Sequence, residues 1–514
     1  PMRYSILFIL ALVICITSCR KDFETVPSSG KLEFSKTTVY LDTVFANIGS
    51  STYMLKVYNR SNNDITIPSI ALGKGNASKY RLMVDGMRGT NGKIFPNVQL
   101  LAHDSLFVFI ETTVDIAAAN PADMLYTDEI LFDAGALQQK VNLVTLIQDA
   151  VFLFPDRTIN EQLQLDNNDP NSYTYGFELT GTKLHFTKAK PYVIYGYAGV
   201  DSGKKLIIDK GARIHFHDKS GIFVKRGGSI QVNGLPSPTA TPLVNEVIFE
   251  GDRLEPSFAE TPGQWGIIYL AEGSTNNVFN HVTIKNSTVG IFIDRQDATA
   301  VQISNTQIYN SSNYGIIARK GKINGDNIVI NNAGKSSLAC ILGGTYNFVH
   351  CTFADYWQGT SRQSPTVYLD NAYTENGKIV SVSLQLQANF TNCIIYGPNN
   401  IEMGINKVDT PGLNFMTNIT NCLIKFNDTN NQFSDNPLYT NLFAPSNNNL
   451  RSNSTTTFDP KFKNVAKNNL RIGLASAAKG RANSNAPYYI TLDADGNSRT
   501  FPTSDIGAYE HASN

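Results

Sequence analysis

Two short phrases, "VGIFIDRQ" at 289–296 and "YGIIARKG" at 314–321, bring carboxylate and base together. Aligning Gly290 with Gly315 sets Asp294 beside Arg319 and Arg295 beside Lys320. Arg and Lys in such a cluster can neutralise an acidic sugar, and an Asp or Lys can accept a proton, so these four residues are the catalytic candidates. The same residues also make a solvated ion-pair ladder of little energetic consequence, and the pattern favours that reading.

A second group lies in 356–370. Tyr356, Trp357, Arg362 and Tyr368 fall within one short insertion, and Asp370 follows. Aromatics on a loop can stack against sugar rings, with Arg362 reaching hydroxyls or carboxylates. The alternative is a loop folded back so that Trp357 covers apolar surface. The other tryptophan, Trp265, closes "EGDRLEPSFAETPGQW", where Asp252, Arg253, Glu255 and Glu260 make a further polar-aromatic patch suited to binding or to loop packing. His215 and His217 share a strand face but lack an evident third ligand, so no metal site is expected. "DADGN" at 493–497 is not a calcium loop, because Ser498 and Ser504 stand where Gly and Glu are needed. No cofactor motif is present.

Repeats must position these residues. Ile284, Ile308, Ile330, Phe353, Ile395 and Ile424 align, and two residues before them stand Val282, Thr306, Ile328, Cys351, Cys393 and Cys422. Side chains two apart in a strand share a face, so both columns point into one core. Asn286, Asn310, Asn332 and Asp355 follow at the corners, where stacked amides can bond from coil to coil. One short strand per face, repeated, describes a parallel β-helix, right-handed by the crossover rule. In the inward column Cys351, Cys393 and Cys422 act as small hydrophobes, predicted as stacked thiols with a disulfide as the alternative, and Cys340 is the fourth cysteine of the body.

The fold class is therefore all-β: an immunoglobulin-like β-sandwich followed by a right-handed parallel β-helix. Strands alternating between Asn-, Gly- and Asp-rich breaks place the sandwich at 31–150, a polar connection at 151–190, the β-helix at 191–480 and a C-terminal cap at 481–514. Lys plus Arg equals Asp plus Glu at 43 each, without a basic run, which gives no argument for nucleic acid.

The first residues read as a targeting segment. Arg3 is followed by apolar Ile6 to Ile16 and by "ITSC", too short a run to span a membrane. It resembles a bacterial lipoprotein signal, with Cys19 as the acylated residue and 20–30 as a tether. "CRKD" and "TVFANIGSSTYMLKVYNRSN" resemble Bacteroidetes surface lipoproteins, and "DIGAYE" resembles the ending of bacterial surface β-helix proteins. Asp42–Val44 and Asp104–Leu106 resemble O-glycosylation sites of that group. The repeats resemble the pectin-lyase-like fold, many of whose members bind or cleave acidic polysaccharide. These resemblances imply an envelope protein, lipid-anchored to the outer membrane and surface-exposed, with polysaccharide as partner. A non-catalytic glycan- or macromolecule-binding module is the leading expectation. A polysaccharide lyase or glycosidase, and a structural stalk or adhesin, are the alternatives.

Overall fold

The computed structural model describes residues 24–511 except 121–122, 166–168, 170, 240–241, 296–298, 376–377, 454–457 and 487–488. Cys19 lies outside the described residues. The chain divides into two units between Asp149 and Ala150.

In the first unit apolar and polar residues alternate, so each strand has one face to bury. A six-stranded sheet, with Thr38–Phe45, Ile65–Leu72, Leu125–Phe132 and Gln139–Gln148 among its strands, faces a four-stranded sheet built from Glu33–Phe34, Tyr53–Tyr58, Tyr80–Val84 and Ser105–Thr112. Val39, Leu41, Ile130 and Leu143 from one sheet share a core with Leu55, Val57, Val108 and Ile110 from the other. Tyr80 is buried at its centre and donates its hydroxyl to Tyr126 O at 2.9 Å. This is a β-sandwich.

In the second unit one continuous sheet winds into a prism, most strands pairing in parallel with the strand one coil on, which gives three parallel faces, sheets I to III. Sheet I contains Tyr197–Val200, Gly221–Val224, Trp265–Leu270, Ser287–Asp294, the first parts of Tyr314–Asp326 and Ser336–Val349, Val367–Asp370 and Met403–Asn406. Sheet II takes the next strand of each coil, and sheet III the next, before the chain returns to sheet I one rung along. The predicted isoleucine column is in register throughout: Ile284 with Ile308, Ile330, Phe353, Ile395 and Ile424 in turn. Every member is fully buried, contributing about 1.5–3 kcal/mol each relative to exposure. Cys351, Cys393 and Cys422 are buried free thiols in the second inward column, with Cys393 N donating to Cys422 Sγ at 3.4 Å.

The corner amides are joined as predicted. Asn332 Nδ2 donates to Asn310 Oδ1 at 2.7 Å, and Asn310 Nδ2 to Asn286 Oδ1 at 3.2 Å. All three have positive φ, between +57° and +65°, a conformation that Asn tolerates better than most residues. Asp355 ends the column by accepting Ala333 N at 2.9 Å.

Three boundaries differ from expectation. Residues 26–28, expected within the tether, already belong to the sandwich: Val26–Pro27 pairs in parallel with Ile65 and Thr66, and the buried Ser28 hydroxyl donates to Asp133 Oδ2 at 2.8 Å. The segment 151–190 is already β-helix: Val151–Leu153, Tyr173–Glu178 and His185–Phe186 pair in parallel with the strands of the following coil. An Asn/Asp-rich run between short apolar triplets conceals their periodicity. The tail does not close the end of the prism either. Gly507 N donates to Asn392 O at 2.8 Å, Ala508 N to Thr352 Oγ1 at 3.0 Å, and Tyr509 and Leu470 pack on Val329 and Ala354, so the tail lies along the outside of sheet III. The last coil is closed instead by Phe433, Tyr439, Leu442 and Phe443 around Phe426. Tyr439 Oη accepts Ile405 N at 2.8 Å and caps that strand edge.

Candidate functional site

Sheet I carries the richest outward chemistry. Its strands leave corners through glycine because the backbones crowd there: a Cβ at Gly290 would stand 2.5 Å from Gly315 O. Beyond each glycine, one residue points in, the next out. Phe223, Tyr269, Phe292 and Ile317 are consecutive in register and form an outward column. Phe223 stacks on Tyr269 with ring centroids 4.8 Å apart, and Tyr269 meets Phe292 edge-on at 4.7 Å. Tyr368 resumes the column beyond Ala339.

Two residues along runs a charged column. Asp294 is in register with Arg319, as aligned from sequence. Arg319 Nε reaches Asp294 Oδ1 at 2.8 Å and Nη2 reaches Oδ2 at 2.5 Å. Tyr269 donates its hydroxyl to Asp294 Oδ2 at 3.0 Å. Arg295 bridges Asp294 at 3.3 Å and Glu272 at 2.9 Å, and Arg226 joins Glu272 at 2.8 Å. Lys225 pairs with Glu178 nearby. Burial alone would raise the Asp294 carboxyl, but the Arg319 hydrogen bonds and charge hold it below the usual carboxylate range. It is a fixed anion, unsuited to donating a proton.

These side chains line a cavity of about 610 Å³ with Tyr197, Phe223, Tyr269, Arg295 and Arg319 on its walls. Arg319 also lines a smaller one of about 210 Å³ with Tyr368, Asp370, Tyr373 and Asn406. Asp370 accepts Leu342 N at 2.7 Å, and burial raises its carboxyl. Tyr368, desolvated and next to Asp370, is pushed up to about 12. Asp294 and Asp370 stand three rungs apart, about 14 Å between backbones at the strand spacing, with Arg319 between them. Hydrolytic carboxylate pairs sit at about 5–9.5 Å, so the arrangement suits binding better than a two-carboxylate hydrolysis.

Of the predicted site residues, Asp294, Arg295, Arg319, Tyr368 and Asp370 come together on this face. Lys320 does not: it turns the corner at φ +48° and is exposed, outside the lining of either cavity. Arg362 is not a surface ligand. Its side chain is 3% exposed and meets Glu402 Oε1 at 2.6 Å, because an insertion crossing apolar coil needs a buried cation to satisfy a buried carboxylate. Trp265 is corrected likewise: it points inward, 1% exposed, stacked on Phe216 at 4.3 Å and donating Nε1–H to Lys285 O at 2.8 Å. Tyr356 packs on Phe462, and Trp357 folds over Gly334 and Gly359, so the insertion serves as cover. His215 is buried against Gly251 O while His217 pairs with Asp252, so the two do not share a ligand.

Phe223, Lys225, Arg226, Tyr269, Glu272 and Phe292 escaped the sequence reading. A signal existed: "GIFVKR" at 221–226 repeats the grammar of "GIFIDR" and "GIIARK", and extending the glycine alignment backwards would have found most of them.

No family model and no curated protein matches the chain. Similar solved structures include XylC in complex with xylose, 10% identical over 92% of this chain and 87% of that one, with a TM-score of 0.26. The catalytic unit of a GH87 α-1,3-glucanase from Streptomyces thermodiastaticus is 10% identical over 72% and 78%, with a TM-score of 0.23. The Escherichia coli chaperone DraB is 14% identical over 27% of this chain and 61% of that chain, with a TM-score of 0.17. At such scores these likenesses carry no argument, and the architecture rests on the strand pairings.

Proposed function

We propose that the second unit is a carbohydrate-binding module whose site is the groove outside sheet I. One observation carries this reading: Tyr197 and the stacked Phe223–Tyr269 pair lie beside the Arg295–Asp294–Arg319 network within one cavity. The half-buried rings of Tyr197 and Tyr269 suit the apolar faces of sugar rings, and ion-paired guanidinium groups give donors already held in place. The module is non-catalytic, since the carboxylate at its centre is tied up by Arg319.

A lyase or glycosidase is the second reading. It is favoured by Asp370, whose carboxyl is raised while that of Asp294 is lowered, a split that acid–base pairs use. The location proposed is the outer membrane surface, with Cys19 acylated as the anchor.

Titration calorimetry of the purified protein against a panel of soluble oligosaccharides tests the main reading. Binding to at least one is expected, weakened tenfold or more by Tyr269→Ala. Turnover of any of them, lost in Asp370→Asn, would replace it with the enzymatic reading. Metabolic palmitate labelling, lost in Cys19→Ser, tests the anchor.

A further inference from the structure

The three sheets present different outsides. Sheet III is covered by the tail, and sheet I carries the groove. Sheet II carries a row of amides in mid-strand, separate from the corner column.

Asn324, Asn347, Asn389 and Asn418 stand in register on consecutive coils. Each bonds the one before it: Asn347 Nδ2 to Asn324 Oδ1 at 2.9 Å, Asn389 Nδ2 to Asn347 Oδ1 at 2.7 Å, and Asn418 Nδ2 to Asn389 Oδ1 at 2.8 Å. Asn324 and Asn418 are exposed and the middle pair half-buried. A primary amide has two N–H donors and an oxygen with two lone pairs, so each rung keeps hydrogen-bonding capacity facing out. The ladder fixes the side chains, and their ordering cost is met before any ligand arrives.

The surroundings select the ligand. Along 321–326, 344–349, 385–391 and 414–420 the only charged side chains are Lys322 and Asp326, and Asp326 takes the Ser304 hydroxyl at 2.6 Å. One lysine cannot hold a phosphate backbone. A protein interface needs apolar or aromatic anchors, and on these strands Met416 is the one large apolar side chain that is well exposed. Thr345 and Gln387 flank the ladder on one side, Thr391 and Thr420 on the other. A neutral, regular array of amides and hydroxyls at about 4.8 Å intervals matches a neutral, regular array of hydroxyls.

We infer that sheet II is a second binding surface, for an uncharged polysaccharide in ordered, insoluble form. It is distinct from the groove on sheet I and does not depend on it.

Co-sedimentation of the purified protein with microcrystalline cellulose and with chitin tests this. The protein is expected in the pellet of at least one. The double variant Asn347→Lys/Asn389→Lys should lose at least tenfold in partition while Tyr40→Ala, an exposed aromatic of the first unit, pellets like the wild type. Melting curves check the fold, and if the double variant melts early, Asn418→Lys at the exposed end of the ladder must still reduce partition severalfold. Wild-type protein left in the supernatant with both polysaccharides overturns the inference. So does equal pelleting of folded lysine variants.

Discussion

Asp294 and Arg319 stand one above the other on neighbouring coils and are joined by two hydrogen bonds, at 2.8 and 2.5 Å. Asp294 is 3% exposed, whereas the Arg319 side chain is about a third exposed. Removing the arginine strands a buried anion, but water can approach from the groove. Arg319→Ala should therefore cost about 2 kcal/mol rather than the full penalty of a dry pair. The pH signature has a definite sign. Because the folded carboxyl lies below its ordinary value of 3.8, its contribution is present above that value and lost as pH falls through the folded one. Urea midpoints at pH 7 and pH 3 should differ more in the wild type than in Arg319→Ala.

Asp355 behaves oppositely. It is fully buried beside Arg362 and Glu402, and Glu402 takes Arg362 Nη2 at 2.6 Å, leaving Asp355 the weaker contact at 3.5 Å. Burial raises the Asp355 carboxyl well above 3.8. Its stabilising contribution is complete below that value and lost as pH rises through the folded one. Asp355→Asn cannot ionise, so its melting temperature relative to the wild type should improve from pH 5 to pH 9. A difference independent of pH would show that Asp355 is not protonated in the fold.

Thiol titration tests the stacked column. Cys340, Cys351, Cys393 and Cys422 are free and buried, and burial pushes the thiols of Cys340, Cys351 and Cys422 up. Native protein lacking residues 1–19 should show no thiol reactive towards a disulfide reagent at pH 8, and four after guanidinium unfolding. A total of two after unfolding would mean a disulfide between coils.

The corner column makes Asn310 worth more than one hydrogen bond. Its amide donates to Asn286 and Glu260 and accepts from Asn332 and Asn468. Asn310→Ala should cost about 3 kcal/mol, combining lost bonds with a left-handed backbone that alanine dislikes. Asn310→Gly should recover about 1 kcal/mol of that, because glycine accepts φ +57°. Equal losses in both variants would remove backbone conformation from the account.

The repeat grammar was legible because inward positions must be apolar at fixed spacing: Ile284 to Ile424 and the cysteine column align without knowledge of the turns between them. Asp294 and Arg319 were legible for the same reason, being one residue beyond an inward position. Arg362 misled, since a loop residue's exposure depends on where the loop folds, and Trp265 misled because spacing does not show that the excursion ends and the inward strand begins at that residue. Glu402, the partner that buries Arg362, lies forty residues away. The aromatic column was missed where the coil before it carries a register shift between Ile267 and Ile268 and a long excursion, which break the simple period.

Hydrogen–deuterium exchange with and without a bound soluble oligosaccharide addresses the groove most directly. Slower exchange is predicted in 266–272, 290–295 and 315–319, with 38–45 and 344–349 unchanged. Protection confined to the sandwich or to sheet II, with those three sheet I segments unaffected, would contradict the assignment of the groove as the carbohydrate site.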